Sequence, residues 1–182
     1  MIVATGDPRA TARYYATDTV AQFPIFTLAA RPQSVELDGG LTLLALTPGS
    51  NDVAATVDIE RAVLGYDRGA DEFDWLLGLR EGHLYHRDGR PIGFAFVGKD
   101  GAGPVAALDP TDLPGILLHV ESRAHALGVE KLELDVPSVN AVAVRHLLGR
   151  GFRLDPFVTN LMSSRPFGQF DRFIGFSPPL FL

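Results

Sequence analysis

Cysteine is absent from the 182 residues, which removes any disulfide framework and any thiolate zinc site and fits a reducing, cytoplasmic compartment. No apolar run approaches the ~18 residues that a membrane-spanning helix requires. The opening stretch, Met1-Ile2-Val3-Ala4-Thr5-Gly6-Asp7-Pro8-Arg9, lacks the apolar segment of a secretory signal. Basic residues form no cluster, and the formal charge is −6. That balance argues against nucleic acid or an anionic membrane as partner; it permits an amine substrate without arguing for one. There is no G-x-G-x-x-G loop and no serine nucleophile elbow. Gly93 to Gly98-Lys99 nearly matches a phosphate-binding loop, but Asp100 stands where a magnesium-holding hydroxyl is needed and a hairpin strand precedes it. His83 and His86, three apart on a strand, face opposite ways, and His119 and His125 are six apart on a helix, so no metal site is expected.

What the chain does have is apolar content: 46% hydrophobic residues, enough for a self-sufficient core in one domain or one domain plus a fragment. Asp7 and Pro8 suit the start of a short helix through Ala16. Gln22 to Ala30 reads as a strand, and Pro24 predicts that it lies at an edge or a bulge. Residues 33–40 read as a linker. Leu41 to Leu46 is a short strand, after which Asn51 or Asp52 caps a helix to about Leu64. A second helix near Asp71-Glu72 buries Phe73, Leu76 and Leu77. His83–His86 and Ile92–Val97 flank Asp88-Gly89, a tight-turn signal, with Ile92, Phe94 and Phe96 expected on one face. A further strand, Val105 to Leu108, follows. Leu113, Ile116, Leu117, Val120, Ala124 and Leu127 share a helical face that ends at Gly128. Leu132, Leu134 and Val136 alternate with Lys131, Glu133 and Asp135 as a half-buried strand. Asn140 to Leu148 is a helix and Phe157 to Met162 a strand, and the aromatic tail from Phe167 must pack on something.

There is also an internal echo. Asp7, Ala10, Tyr14, Pro24, Thr27 and Arg31-Pro32 match Asn140, Ala143, Leu147, Pro156, Thr159 and Arg165-Pro166, with a slip of a residue or two. Residues 1–32 therefore read as the remnant of a duplicated helix–strand unit, with chance similarity of two amphipathic segments as the competing explanation.

Two patterns in order along the chain resemble the GNAT superfamily of CoA-dependent N-acetyltransferases. One is Asn140-x-x-Ala143 followed by Gly151-Phe152. The other is Asp58 followed by Gly65-Tyr66-Asp67-Arg68 and Leu76-Leu77. The resemblance covers about Leu41 to Arg165 and, with the echo, is closest in kind to the C-terminal domain of a tandem protein. It implies an α+β fold of three α/β/α layers with a mixed, largely antiparallel central sheet, occupying residues 41–182. It also implies acetyl-CoA as cosubstrate and an amine, small or peptidic, as acceptor. The backbone of Leu108 and Asp109 would take the thioester arm, and the amides of Leu113, Pro114, Gly115 and Ile116 would face the diphosphate. Asn140 would support the cofactor cleft, and Asp58, Tyr66, Asp67, Arg68 and Trp75 would lie near the acceptor. The candidate catalytic residues are Asp58, Tyr66 and His146.

The chain departs from that pattern in two places. The family's "R/Q-x-x-G-x-G/A" loop is here Asp109-Pro110-Thr111-Asp112-Leu113-Pro114-Gly115, with one glycine, a proline that lacks an N–H, and two carboxylates that would repel a diphosphate. The position of the family's acidic tyrosine is Leu147, and His146 lies about 100° around the helix; in the N-terminal echo the same position is Tyr14. Two readings stay open: an N-acetyltransferase acting on an unidentified amine, and a catalytically silent GNAT-like domain for binding or assembly. Exchange of residues 1–32 between chains would give a homodimer. For Tyr66-Asp67-Arg68 the competing role is a helix end with a structural ion pair, for Asp58 a solvated helix face, and for Trp75 a partly buried core position.

Overall fold

A computed structural model describes residues 2–36 and 40–175. Part of the expected linker and the tail beyond 175 lie outside the described residues. The strongest local signal organises one half of the fold. Asp88 and Gly89 both take positive φ, 51° and 73°, the backbone of a two-residue turn whose twist matches paired strands. They join β4 (Glu81–Arg87) to β5 (Arg90–Gly98). With β3 (Thr42–Ala45), β6 (Gly101–Ala107) and a two-residue β9 (Phe173–Ile174), these form a sheet in the order β3-β4-β5-β6-β9. The second sheet contains β1 (Ile2–Thr5), β2 (Val20–Ala30), β7 (Leu132–Pro137) and β8 (Arg153–Ser163) in the order β1-β8-β2-β7. Every ladder is antiparallel. β6 and β7 lie side by side where the two sheets meet, but no ladder joins them.

Helices cover both faces of the sheet. On one side α2 (Asn51–Leu64) and α3 (Ala70–Leu77) pack over Leu84, Phe94, Phe96 and Ala106; on the other α4 (Leu113–Ala126) covers Tyr85, Ala95, Val97 and Val105, and α5 (Ala141–Gly149) packs beside α4 and on β2. Period-two alternation along β5 therefore feeds two cores, as expected of a strand in a middle layer. Ile92 departs from it. The register passes from Tyr85↔Gly93 to His86↔Pro91, so Ile92 is the extra residue of a bulge and joins the α4 side, away from Phe94 and Phe96. One step on, Gly93 lets α4 approach: a Cβ there would stand 2.6 Å from the Ala106 carbonyl and 2.7 Å from Ile116 Cδ1. α2 begins from Ser50, one residue before the expected cap, and ends at Gly65 in the left-handed region.

β2 corrects the expectation of an edge. It is central, bonded to β7 on one side and β8 on the other. Pro24 is tolerated there because the β7 ladder has already ended at Ile25↔Pro137 and a bulge at Gln22 adjoins it. β7 is buried more completely than a half-buried strand, and Asp135, 8% exposed, accepts the Thr27 hydroxyl at 2.6 Å. Residues 2–30 thus share one sheet with residues 132–163. The echo has a geometric counterpart in that sheet. Exchanging β1 with β7 and β2 with β8 leaves the order unchanged, read backwards. The central pair, Phe26↔Val158, joins positions 132 apart, the same spacing as Pro24–Pro156 and Thr27–Thr159. The β2–β8 pair therefore lies on an approximate two-fold axis.

Candidate functional site

The place where an extended ligand could add to the sheet is the outer edge of β6, facing β7. Protein already occupies it. Val105 pairs with Ile174 and Ala106 with Phe173, and Phe173 and Ile174 are buried, at 2% and 0% exposure. The segment is anchored from three directions. Arg172 donates to the Leu108 carbonyl at 2.8 Å, the Gln169 N–H donates to the Val63 carbonyl at 2.7 Å, and rings run from Phe167 through Phe170 to Phe173 at centroid spacings of 5.1 and 6.0 Å. Asn140, fully buried, ties α5 to this segment: its Oδ1 accepts from the Ala143 N–H at 3.1 Å and its Nδ2 donates to the Phe173 carbonyl at 3.4 Å.

The end of β6 and the start of α4 are similarly engaged. The Leu108 N–H donates to the Ile92 carbonyl at 2.7 Å, so both backbone groups of Leu108 are used. Asp109 caps a short 3-10 turn, Pro110–Asp112, accepting from the Thr111 N–H and hydroxyl at 2.8 and 2.7 Å; these bonds hold its carboxyl below the usual range. The Leu113 N–H is spent on the Pro110 carbonyl, and Pro114 has none. Asp112 is buried, and burial pushes its carboxyl up against the opposing pull of Arg87, 2.6 Å away. Leu41 lies on the first turn, 2.9 Å from where a Gly115 Cβ would be, and Ile116 is fully buried in the core. A helix start favours an anion only when free N–H groups face it. Here carboxylates, a proline and an apolar side chain surround the start of α4, and the sheet edge beside it is filled. These residues do not fit the diphosphate and arm of an acyl-CoA.

The expected acceptor residues serve other partners. Asp58 is exposed and pairs with Arg61 at 2.8 Å. Arg61 also reaches Asp67, 2.8 Å away, which in turn accepts from the Gly69 N–H. Arg68 gives its N–H and guanidinium to Glu60, fully buried, at 2.8–2.9 Å, and its guanidinium carbon lies 5.5 Å from the centre of the Phe73 ring. These contacts close the α2–α3 corner. Tyr66 lies beside Phe167 at 6.0 Å, and burial, with Glu60 adding to it, pushes its phenol up to about 12. Trp75 is 56% exposed, not the partly buried core residue anticipated. His146 is half-buried, and burial lowers its pKa. Sequence reasoning missed a ring cluster in the α4-side core: His119 shares a 2.8 Å hydrogen bond with the Tyr85 hydroxyl, and the His83 ring stands 4.7 Å from His119. The spacing of these residues in sequence gives no hint of it. Among the described residues no group of three metal-ligating side chains occurs, and no helix is long and apolar enough to cross a membrane.

No family model matches the chain, and no curated protein matches it. Solved structures do. A Pyrococcus horikoshii protein whose name proposes an acetyltransferase superposes over 94% of this chain and 56% of its own, with TM-score 0.69 and 16% identity. The GCN5-related N-acetyltransferase of Sphaerobacter thermophilus matches over 91% and 59%, with TM-score 0.59 and 19% identity. That of Kribbella flavida matches over 86% and 63%, with TM-score 0.56 and 15% identity. The chain has the fold of these acetyltransferases and spans somewhat over half of their length.

Proposed function

We propose that this protein is a working part of an N-acetyltransferase and that residues 41–175 act in it as a catalytically silent GNAT-fold domain, used for binding or assembly. The observation that carries this is the pairing of Phe173–Ile174 with Val105–Ala106, which puts protein where an acyl-CoA arm would form its backbone bonds. Fold alone does not fix activity, and the groups that would bind and activate a thioester are otherwise engaged here. The acetyltransferase fold of the matched structures supports the wider assignment.

A second reading has one specific observation in its favour: among the described residues β9 is held to β6 by two residue pairs, and Asn140 stands beside it. If the tail were to leave, the cleft would open to acetyl-CoA, and the domain would acetylate an amine of its own. Calorimetric titration of acetyl-CoA into the whole chain, with CoA as control, separates the two. No heat of binding up to millimolar cofactor is the expected result, and micromolar binding would overturn the silent-domain reading in favour of the second.

A further inference from the structure

α1 (Pro8–Tyr15) buries none of its residues, although the approximate two-fold axis makes it the counterpart of α5. At a spacing of 133, Asp7, Arg9, Ala10, Arg13 and Tyr14 correspond to Asn140, Val142, Ala143, His146 and Leu147. On α5 this face is the packed one: Asn140, Ala143 and Leu147 are 0–2% exposed, against α4 and the two 3-10 turns, Pro110–Asp112 and Phe170–Arg172. On α1 the same five positions line an open groove of about 550 Å³. The strands repeat the contrast. β7 lies between β2 and the β6/β9 layer, whereas β1 pairs only with β8 and leaves its other edge free among the described residues. A free strand edge beside an uncovered helix face is a template for pairing.

We infer that β1 and α1 form half of a second cleft, completed by another core of the same fold that lies outside residues 1–182. The partner is specified by what the other half of the sheet already contains. It must bring a strand to the free edge of β1, as β6 and β9 stand beside β7. It must also bring an apolar helix to cover Ala10 and Tyr14, as α4 covers Ala143 and Leu147. Arg9 already pairs with Asp7 at 3.5 Å, whereas Arg13 calls for a carboxylate at the rim of that helix. On the packed side Glu121 of α4 meets that need, bonding Arg150 at 3.0 Å on the α5 side. A second copy of this chain cannot supply its β6 edge, because that edge is taken by β9, and its free β1 edge brings with it only the charged α1, not an apolar helix. The matched structures leave room for such a core, since 56–63% of their length accounts for nearly all of this chain. In this second cleft the position equivalent to Leu147 carries a phenol, Tyr14, so this half keeps a proton donor that the closed cleft lacks.

This inference rests on the acetyltransferase assignment above but not on the silence of the β6/β7 cleft, so acetyl-CoA titration and the following test fail separately. The probe is a photo-crosslinking benzoylphenylalanine in place of Tyr14, expressed in the source cells, with the same group in place of Trp75 as a control on an exposed helix elsewhere. The expected result is a crosslink from position 14, and none from position 75, to a peptide in the strand–helix part of an acetyltransferase-like core outside residues 1–182. Introducing Ala10→Glu should abolish that crosslink while leaving the unfolding midpoint of the isolated chain unchanged, since α1 buries nothing. A crosslink from position 14 to a second copy of residues 1–182, or no crosslink, would overturn the inference.

Discussion

The Asn140 carboxamide joins two elements that the chain orders separately: its oxygen caps α5 through the Ala143 N–H at 3.1 Å, and its nitrogen holds the Phe173 carbonyl at 3.4 Å. With no exposure to water, both bonds are made where an unpaired group is costly. The same side chain that the sequence suggested for a cofactor cleft therefore bonds the protein's own tail.

That relationship makes the tail a structural element whose loss is measurable. Phe173→Ala should destabilise the protein by about 3–5 kcal/mol, the range for a buried phenylalanine. Asn140→Ala should cost about 1–3 kcal/mol through the lost cap and the orphaned carbonyl. Urea unfolding of both variants checks this; a loss of under about 0.5 kcal/mol for Phe173→Ala would show that the tail is a loose strap.

Glu60 and Arg68 form a buried pair whose members cannot be removed singly without penalty. Glu60→Ala would leave the Arg68 guanidinium and N–H without their partner beneath α3. A loss of about 3–5 kcal/mol is expected, against less than about 1 kcal/mol for Asp58→Ala, whose pair with Arg61 is exposed. Equal costs for the two would mean that Glu60 is hydrated in solution.

The histidine cluster predicts a pH dependence of stability. Burial lowers His119 to about 4, with His83 and Arg123 adding to the effect. Burial also lowers His83, opposed by Glu81. Between about pH 6.5, where an unfolded histidine titrates, and about pH 4, the unfolded chain binds more protons than the folded one. Stability is therefore complete above pH 6.5 and falls as pH is lowered through this window. The loss should reach about 2 kcal/mol by pH 5. Urea midpoints at pH 7 and 5 measure it, and His119→Gln should flatten the difference; a wild-type midpoint that does not move would refute the assignment.

Two tyrosines, Tyr85 fully buried and Tyr66 half-buried, should respond differently to loss of the hydroxyl. Tyr85→Phe breaks the bond to His119 Nδ1 and should cost about 1–3 kcal/mol. Among the described residues the Tyr66 hydroxyl has no hydrogen-bond partner, so Tyr66→Phe should be neutral or stabilising, because it removes a desolvated group without breaking a bond. Thermal unfolding of the pair tests this, and a large loss for Tyr66→Phe would reveal a partner such as water.

Much of the fold was legible because its signals are local. Asp88-Gly89 dictates a turn through its own backbone preferences, and the apolar face from Leu113 to Leu127 dictates a helix and its buried side. The misreadings lie where distant chain decides. Pro24 argued for an edge or a bulge; a bulge does adjoin it, but β2 is no edge, because it is bonded to strands more than a hundred residues away and those fix its place. Ile92 obeys the alternation until a bulge, set by the pairing with β4, turns it to the other core. Of the candidate site, the loop from Asp109 to Gly115 was readable as a poor anion cradle, since proline and aspartate carry that property wherever they sit. That Arg68 belongs to Glu60, and Trp75 to solvent, depends on helix packing that no spacing reveals.

By itself, the sequence determined most of the elements and the ill-suited start of α4, because backbone propensity, periodicity and side-chain chemistry are properties of neighbouring residues. Only the tertiary structure decided that the tail lies against β6, that residues 2–30 share a sheet with 132–163, and that α1 stands uncovered where α5 is packed. Each of those is a choice of partner between segments far apart in the chain, made by hydrogen-bond ladders and apolar burial that exist only once the segments meet.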